Sequence, residues 1–128
     1  MTDPGMSHPV PPLVLADGWD VSFYGSAEAI DRQIEPWFPE EVEYRAYDSE
    51  GRKLELAVER EVVTRRWLWD RTCERIVVRA VESAPRHSSE LAELLAQWLP
   101  MVGASTPPAD TTLDELLRQA VDRGDLYA

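Results

Sequence analysis

The period of the apolar positions changes twice along the chain. Residues 1–12 hold four prolines and no repeating apolar positions, which is typical of a disordered terminal tail. Between there and about residue 81, apolar and polar residues tend to alternate, and this period of two predicts β-strands. After Pro85 the apolar residues recur every three or four positions, which predicts helices. The chain therefore divides into a tail, a strand-rich middle and a helical end.

The first strand and the first helix are predicted from residues 19–36. In Trp19–Tyr24 the residues Trp19, Val21 and Phe23 share one side of a strand that Gly25 ends. Ser26 follows and can cap a helix over residues 26–35, because its hydroxyl can accept a free backbone N–H of the first turn. Pro36 stops this helix.

A β-hairpin is predicted from two alternating stretches, residues 42–48 and 52–59. Asp48 can accept hydrogen bonds from the turn backbone, and Gly51 can adopt the positive φ that such a turn requires. Two more strands follow, at about Val62–Trp69 and Arg75–Val81. Together these elements predict an α+β fold with a mostly antiparallel five-stranded sheet, and helices over residues 26–35 and 88–99 packed on one face.

Two helices are predicted near the C-terminus. Ser88 or Ser89 caps the first, which runs to Pro100. Residues 101–111 are rich in proline and small residues and predict a linker. Thr112 and Glu115 match a capping box that opens an amphipathic helix over residues 112–123. A dozen residues are too few for a stable isolated helix, so this one must pack on its own domain, on a second copy in a homodimer, or on another protein. The predicted organisation is thus a tail over 1–12, a core domain over 13–100, a linker and a C-terminal helix.

Charge narrows the classes of partner. The formal net charge is −11 and the pI is about 4.5, so nucleic acid and anionic membrane surfaces are not the expected partners. No stretch approaches the length of a membrane helix and no signal peptide is recognisable, so we expect a cytoplasmic protein. The twelve arginines and single lysine suggest a GC-rich coding genome and a bacterial source.

Candidates for catalysis and metal binding are few. His87 lies just before a predicted helix, and Cys73 lies between two arginines near a strand. A lone histidine at a helix start and a lone cysteine are usually structural or inert. We therefore predict no cofactor and no metal, and we expect a binding protein rather than an enzyme.

The stretch Thr64–Glu82 combines tryptophan with arginine. Trp67 and Trp69 would share one side of a strand, which is either a core face or a binding surface, because tryptophan and arginine are enriched at interface hot spots. The arginines either pair across strands, Arg66 and Arg79 with Glu55 and Glu59, or converge on an anion. A small-molecule or anion pocket between sheet and helices is therefore an alternative function, as is a minor enzyme built around that pocket. Its predicted site residues are Arg65, Arg66, Trp67, Trp69 and Arg79.

Acidic residues are concentrated on the predicted hairpin and the loop before it. They form either a solvated surface or a patch that attracts a basic partner. The acidity, the size, the β-α opening, the antiparallel middle and the C-terminal helices resemble, over residues 13–123, the small immunity proteins with which bacteria neutralise toxins. This resemblance implies a stoichiometric inhibitor that covers a basic, often nucleic-acid-cleaving toxin. The predicted contact residues are Glu40, Glu41, Glu43, Asp48 and Glu50.

Overall fold

A computed structural model describes residues 8–66 and 69–128, and for residues 61–66 and 69–72 it describes the backbone without the side chains. The chain has an α+β fold. In chain order the elements are β1 (Leu13–Asp17), β2 (Asp20–Tyr24), α1 (Ala27–Gln33), α2 (Phe38–Glu41), β3 (Arg45–Tyr47), β4 (Leu54–Arg66), β5 (Trp69–Val81), α3 (Ser88–Met101), α4 (Leu113–Arg123) and β6 (Leu126–Tyr127). Within these described ranges, none of the helices is long and apolar enough to cross a membrane.

The strands form two sheets, so the prediction of one five-stranded sheet is wrong. One sheet has the order β3-β1-β2-β6, in which only the β2–β6 pair is parallel. The other is the antiparallel pair β4 and β5. The sequence prediction ended one strand at Glu59 and began the next near Val62, on the two sides of Arg60 and Glu61. In the structure β4 runs through them without interruption, because a long two-stranded hairpin can place charged side chains on both of its faces.

The predicted hairpin around Asp48 is reduced to a short contact. β3 has three residues, and only the bridge between Tyr47 and Lys53 joins it to the strand that follows the turn. Instead, β3 pairs with β1, with Leu15 opposite Ala46.

The strand β1 was missed by the sequence prediction. Its sequence LVLAD is apolar without alternation, as expected for a strand that is covered on both faces. β1 pairs with β2 through a two-residue turn, Gly18–Trp19, flanked by Asp17 and Asp20. Gly18 has φ of 61° and no other residue of this turn has a positive φ, which is the requirement of a type II′ hairpin turn. Gly18, at the first central position of such a turn, was the signal that could have identified this hairpin.

The helices pack on both faces of the four-stranded sheet, so the prediction of one covered face is also wrong. The alternation within β1 gives each face its own core, since Val14 and Ala16 point to one side and Leu13 and Leu15 to the other. The first core joins the sheet to α3 and α4. The second joins it to α1 and the near end of the β4–β5 hairpin, through Ala29, Ile30, Leu54, Leu56 and Ile76.

The C-terminal helix α4 packs on its own chain. Its apolar stripe is buried in the first core through Leu116, Leu117 and Ala120. The Thr112 hydroxyl accepts a hydrogen bond from the Glu115 N–H at 3.3 Å, which confirms the predicted cap. This stripe is therefore not available for docking to a second copy or another protein in this conformation.

The starts of the other helices agree in part with the prediction. The Ser26 hydroxyl accepts the Ala29 N–H at 3.1 Å and caps α1 as predicted. The helix α3 begins at Ser88, but the N-cap position is His87, which makes no side-chain capping bond. Pro100 lies inside α3, which continues to Met101, so this proline does not end the helix.

Candidate binding surface

The turn over residues 48–52 is organised around one buried carboxylate. Asp48 has no exposed surface. Its side chain accepts the backbone N–H groups of Val10, Glu50 and Arg52 at 3.1, 3.0 and 3.0 Å. It also accepts the Arg52 Nε at 2.8 Å, and the Arg52 Nη2 lies 2.7 Å from Oδ2. The predicted bonding of Asp48 to the turn backbone is confirmed, and so is a positive φ at Gly51, which is 87°.

This burial removes Asp48 from the predicted contact set. A side chain without exposed surface cannot contact a partner unless the turn opens. Asp48 and Arg52 also hold part of the predicted tail, because the Arg52 Nη2 donates to the His8 carbonyl at 2.8 Å. The Ser49 N–H donates to the Val10 carbonyl at 2.9 Å. The segment from His8 to Val10 is thereby attached to the turn.

The other four predicted acidic residues are exposed, but they differ in their pairing. Glu40 lies 3.3 Å from the Arg60 guanidinium, and Glu50 lies 3.6 Å from that of Arg52. Glu41 and Glu43 have no hydrogen bond or ion pair to any residue that the structure describes. These two carboxylates are therefore the ones whose charge is free for a partner.

Glu41 and Glu43 line a groove at the end of the β1–β2 hairpin. The groove has a volume of about 580 Å³ and is open to solvent along much of its length. We call it the acidic groove, and its lining residues are Ala16, Asp17, Gly18, Glu41, Val42, Glu43, Tyr44 and Arg45. One wall is thus the hairpin turn and the other is the segment between α2 and β3.

Two exposed tryptophans belong to the elements on either side of this groove. Trp19 directly follows the lining residue Gly18 and is 48 % exposed. The sequence prediction had placed it on the same side as Val21 and Phe23, but those two are buried while Trp19 lies in the turn, before β2 begins. Trp37 precedes α2 and is 51 % exposed. Sequence reasoning assigned neither tryptophan to a surface.

An aromatic row connects Trp37 to the wall of the groove. The ring centroids of Trp37 and Phe38 are 6.3 Å apart, and those of Phe38 and Tyr44 are 5.8 Å apart. Tyr44 is anchored because its hydroxyl accepts the Leu56 N–H at 2.9 Å and lies 3.3 Å from the Leu56 carbonyl. The wall that carries Glu43 is therefore held in place by packing and by hydrogen bonds to β4.

The arginines of the hairpin pair across its two strands. Arg79 contacts Glu55, one of the two glutamates that could pair with Arg66 and Arg79, and Arg75 lies 2.9 Å from Glu59, the other of the two. Arg60 lies 3.2 Å from Glu74. Arg79 is therefore not a free member of an anion site. Of the other residues predicted for that site, Trp67 and the side chains of Arg65, Arg66 and Trp69 lie outside the described residues.

His87 belongs to a small polar cluster at the start of α3. Its Nδ1 lies 2.9 Å from the Glu82 carboxylate, and its Nε2 lies 3.9 Å from Glu90. The hydrogen bond from His87 lowers the pKa of Glu82 below its ordinary value, against a smaller opposing effect of desolvation. In the described part of the chain, no three histidine, cysteine or acidic side chains are grouped so that they could hold a metal ion.

Tyr47 carries a buried hydroxyl without a hydrogen-bond partner among the described residues. Burial raises the pKa of this phenol, and the nearby Glu90 carboxylate raises it further. Tyr47 lies in the first core and lines none of the surface grooves described here. It is therefore a feature of the core rather than of a site.

No protein-family model, no curated protein and no solved structure matches the chain. Its function is therefore argued from its own residues.

Proposed function

We propose that this chain is a non-enzymatic protein-binding module that binds a basic protein partner through the acidic groove, in the manner of an immunity-type inhibitor. The observation that carries the proposal is the pairing state of the acidic residues. Glu41 and Glu43 are exposed and without partners in the described structure, and the half-exposed Trp19 directly follows the groove residue Gly18 in the chain.

The chemistry of this surface suits lysine and arginine side chains. A carboxylate without an internal partner can form a charge-assisted hydrogen bond to a partner without first breaking an ion pair. An exposed indole adds apolar contact area and can stack against a guanidinium or an ammonium group. Tryptophan at the edge of a groove is also a frequent hot spot of protein interfaces. The two residue types together favour a basic protein surface over a neutral one.

The net charge supports the same partner class. At −11, the chain attracts basic molecules over distances of about 8 Å at physiological ionic strength, and this attraction accelerates association. Glu40 and Glu50 extend the acidic surface, although each lies near an arginine of its own chain. The contact set that we propose is therefore Glu41 and Glu43 at the centre, with Glu40 and Glu50 at the edge.

The alternative function, an anion or small-molecule pocket lined by tryptophan and arginine, has less support. The described hairpin arginines are neutralised by cross-strand carboxylates, and an anion would have to compete with each of them. We therefore propose no second function.

The test compares two variants with the same change in charge. The double variant Glu41→Gln/Glu43→Gln removes two of the three carboxylates that line the groove, leaving Asp17, and Glu93→Gln/Asp110→Asn removes two exposed carboxylates that do not line it. Proteins captured from lysate of the native host are identified by mass spectrometry, and the most basic one that binds the wild type is titrated by calorimetry at low and high salt. A basic protein encoded by the neighbouring gene is the first candidate.

We expect the groove variant to bind at least about tenfold more weakly at low salt, and the control variant to change affinity by less than about twofold. Trp19→Ala should weaken binding at both salt concentrations, because its contribution is largely apolar. If both double variants lose affinity equally, net charge alone is responsible and the acidic groove is not the site. If the bound partner is not basic, the proposed partner class is wrong.

A further inference from the structure

The outer edge of β5 has main-chain N–H and carbonyl groups that form no hydrogen bond with β4. Leu56 of β4 directs its N–H and carbonyl to the Tyr44 hydroxyl, away from β5. In an antiparallel pair, residues directly opposite each other either exchange hydrogen bonds or both point outward. Val78 lies opposite Leu56, so its N–H and carbonyl also point outward, on the free side of β5.

The neighbouring pairs give the same result. The Ile76 N–H donates to the Asp31 carboxylate of α1 at 2.7 Å, which places the main-chain groups of Ile76 on the same outer side. A register shift then leaves Arg79 without an opposite residue on β4. Beyond it the Glu82 N–H donates to the Lys53 carbonyl at 2.9 Å, so Val81, which lies opposite Leu54, again points outward.

Most of these outward groups have no partner. Only the Ile76 N–H is satisfied, by Asp31, among the residues that the structure describes. The opposite edge of the hairpin is covered at Leu56 by the Tyr44 hydroxyl, which serves both the N–H and the carbonyl. The β5 edge therefore has the free groups that a further strand needs: the carbonyls of Ile76 and Val78 and the N–H groups of Val78 and Val81.

A groove runs along this edge and leaves space for another chain. Its volume is about 360 Å³, and residues 75–81 of β5 form one wall. The other wall is formed by Ala27, Glu28 and Asp31 of α1, and His8 and Pro9 also line it. It shares no lining residue with the acidic groove.

We propose that the β5 edge binds an extended, basic segment of a partner protein as an added strand. The unpaired main-chain groups favour an extended partner backbone, because only a strand can form hydrogen bonds with them one after another along the edge. The charge on the walls selects basic side chains. Glu28 is exposed and without a partner in the described structure, and Asp31 adds a second carboxylate, whereas Arg75 and Arg79 are each neutralised by a glutamate of β4. This inference does not depend on the acidic groove.

The first experiment finds ligands for the whole chain without assuming a sequence. A displayed library of random twelve-residue peptides is selected on the immobilised full-length protein, and the enriched peptides are synthesised. Hydrogen exchange of the backbone amides is then measured with and without peptide. We expect enriched sequences in which β-branched residues alternate with lysine or arginine, and amides of Val78 and Val81 that exchange at least about tenfold more slowly when the peptide is bound. The Val77 N–H, which points toward β4, should change much less.

Two variants of Val78 distinguish the contribution of its backbone N–H to peptide binding from that of its side chain. Val78→Pro removes an N–H that β4 does not use, and proline is tolerated at such edge positions, so we expect peptide binding to fall at least about tenfold. The matched variant Val78→Ala shortens the side chain but retains the N–H, and it should keep most of the affinity. Glu28→Lys should weaken basic peptides without altering the edge, and Trp19→Ala should leave them unaffected.

Several results would overturn the proposal. These are a selection without enrichment, enriched acidic peptides, and protection of amides elsewhere with Val78 and Val81 unchanged. If Val78→Pro does not fold, the exchange pattern of the wild type and the Glu28→Lys variant still decide the question, because neither depends on proline. Of two peptides that are N-methylated at alternate residues in the two possible registers, only the one whose methyl groups face β5 should lose binding, since it cannot donate to the Ile76 and Val78 carbonyls.

Discussion

The turn over residues 48–52 and the acidic groove are both rich in carboxylates, but their carboxylates have opposite roles. In the turn over residues 48–52, Asp48 is buried and is surrounded by three backbone N–H groups and one guanidinium. At the acidic groove, Glu41 and Glu43 lie in solvent without partners in the described chain. The first arrangement stabilises the fold, and the second leaves charge available to another molecule.

The difference arises from the backbone around each carboxylate. Asp48 begins a turn that folds back on itself and brings several N–H groups to one point, as aspartate commonly does in turns. Glu41 ends α2 and the backbone is extended at Val42, so this part of the chain does not fold back to bring N–H groups to one point. Local charge in the sequence is similar in both places, so charge alone does not separate a structural carboxylate from a binding one.

The largest expected effect is that of Asp48→Ala. It removes the closest carboxylate from Arg52, whose side chain is only 11 % exposed, and leaves three backbone N–H groups unsatisfied. We expect the free energy of unfolding to fall by about 3–5 kcal/mol, measured by urea denaturation. Glu50→Gln, in the same turn but exposed, should change it by less than about 0.5 kcal/mol. Similar losses for the two variants would contradict the structural role of Asp48.

The second prediction concerns two glycines, Gly51 in the turn over residues 48–52 and Gly18 in the β1–β2 turn that lines the acidic groove. Gly51 and Gly18 both have positive φ, but a Cβ at Gly51 would lie 2.3 Å from the Ser88 Cα, whereas nothing lies within 4 Å of one at Gly18. Gly18→Ala should cost about 1–2 kcal/mol for the backbone conformation alone. Gly51→Ala adds the overlap with α3 and should cost at least about 2–3 kcal/mol. Equal thermal shifts for the two variants would show that the turn does not pack tightly on α3.

Glu82 is intermediate between the two kinds of carboxylate, because it is partly exposed and has a specific partner in His87. Its pKa in the folded state is lowered, so it stabilises the fold above the ordinary glutamate pKa of about 4.5, and that contribution is lost as pH falls through the lowered value. We expect the stability difference between wild type and Glu82→Gln to be constant between pH 5 and 6 and to shrink below about pH 4.5. The double variant Glu82→Gln/His87→Ala should show the same pH dependence of stability as Glu82→Gln below about pH 4.5. If the stability difference between wild type and Glu82→Gln grows as the pH falls, the lowered pKa of Glu82 is contradicted.

The sequence predicts the local features of this fold better than its long-range pairing. The Ser26 and Thr112 caps and the positive φ of Gly51 follow from near neighbours, and the structure confirms them. Strand alternation allowed Arg79 to pair with a glutamate of the facing strand, and it pairs with Glu55. The sheet order does not follow from such rules. It depends on β1, whose unbroken apolar run gives no period, and on β4, which is one strand over Leu54–Arg66 where two had been predicted.

The candidate site shows the same limit. The acidic residues were identified from the sequence, but their separation into buried, paired and free members depends on contacts across the fold. Asp48 is buried by the segment from His8 to Val10, and Glu40 is paired by Arg60 of a distant strand. The exposure of Trp19 depends on a hairpin turn that was not predicted, because the predicted strand began at Trp19, one residue before β2 does. The β5 edge could not be predicted at all, because outward main-chain groups are defined only by the register of the pair.

The smallest expected effect on stability is that of Glu41→Gln/Glu43→Gln. Neither carboxylate accepts a hydrogen bond in the described structure, so their replacement removes no favourable internal contact. It also relieves repulsion within an acidic region. We therefore expect the free energy of unfolding to change by less than about 0.5 kcal/mol, with any change toward greater stability and larger at low salt. Urea denaturation at two salt concentrations measures this directly. A loss of stability larger than that would show that these carboxylates have internal partners, and the weaker binding expected of the same variant would then have a structural cause.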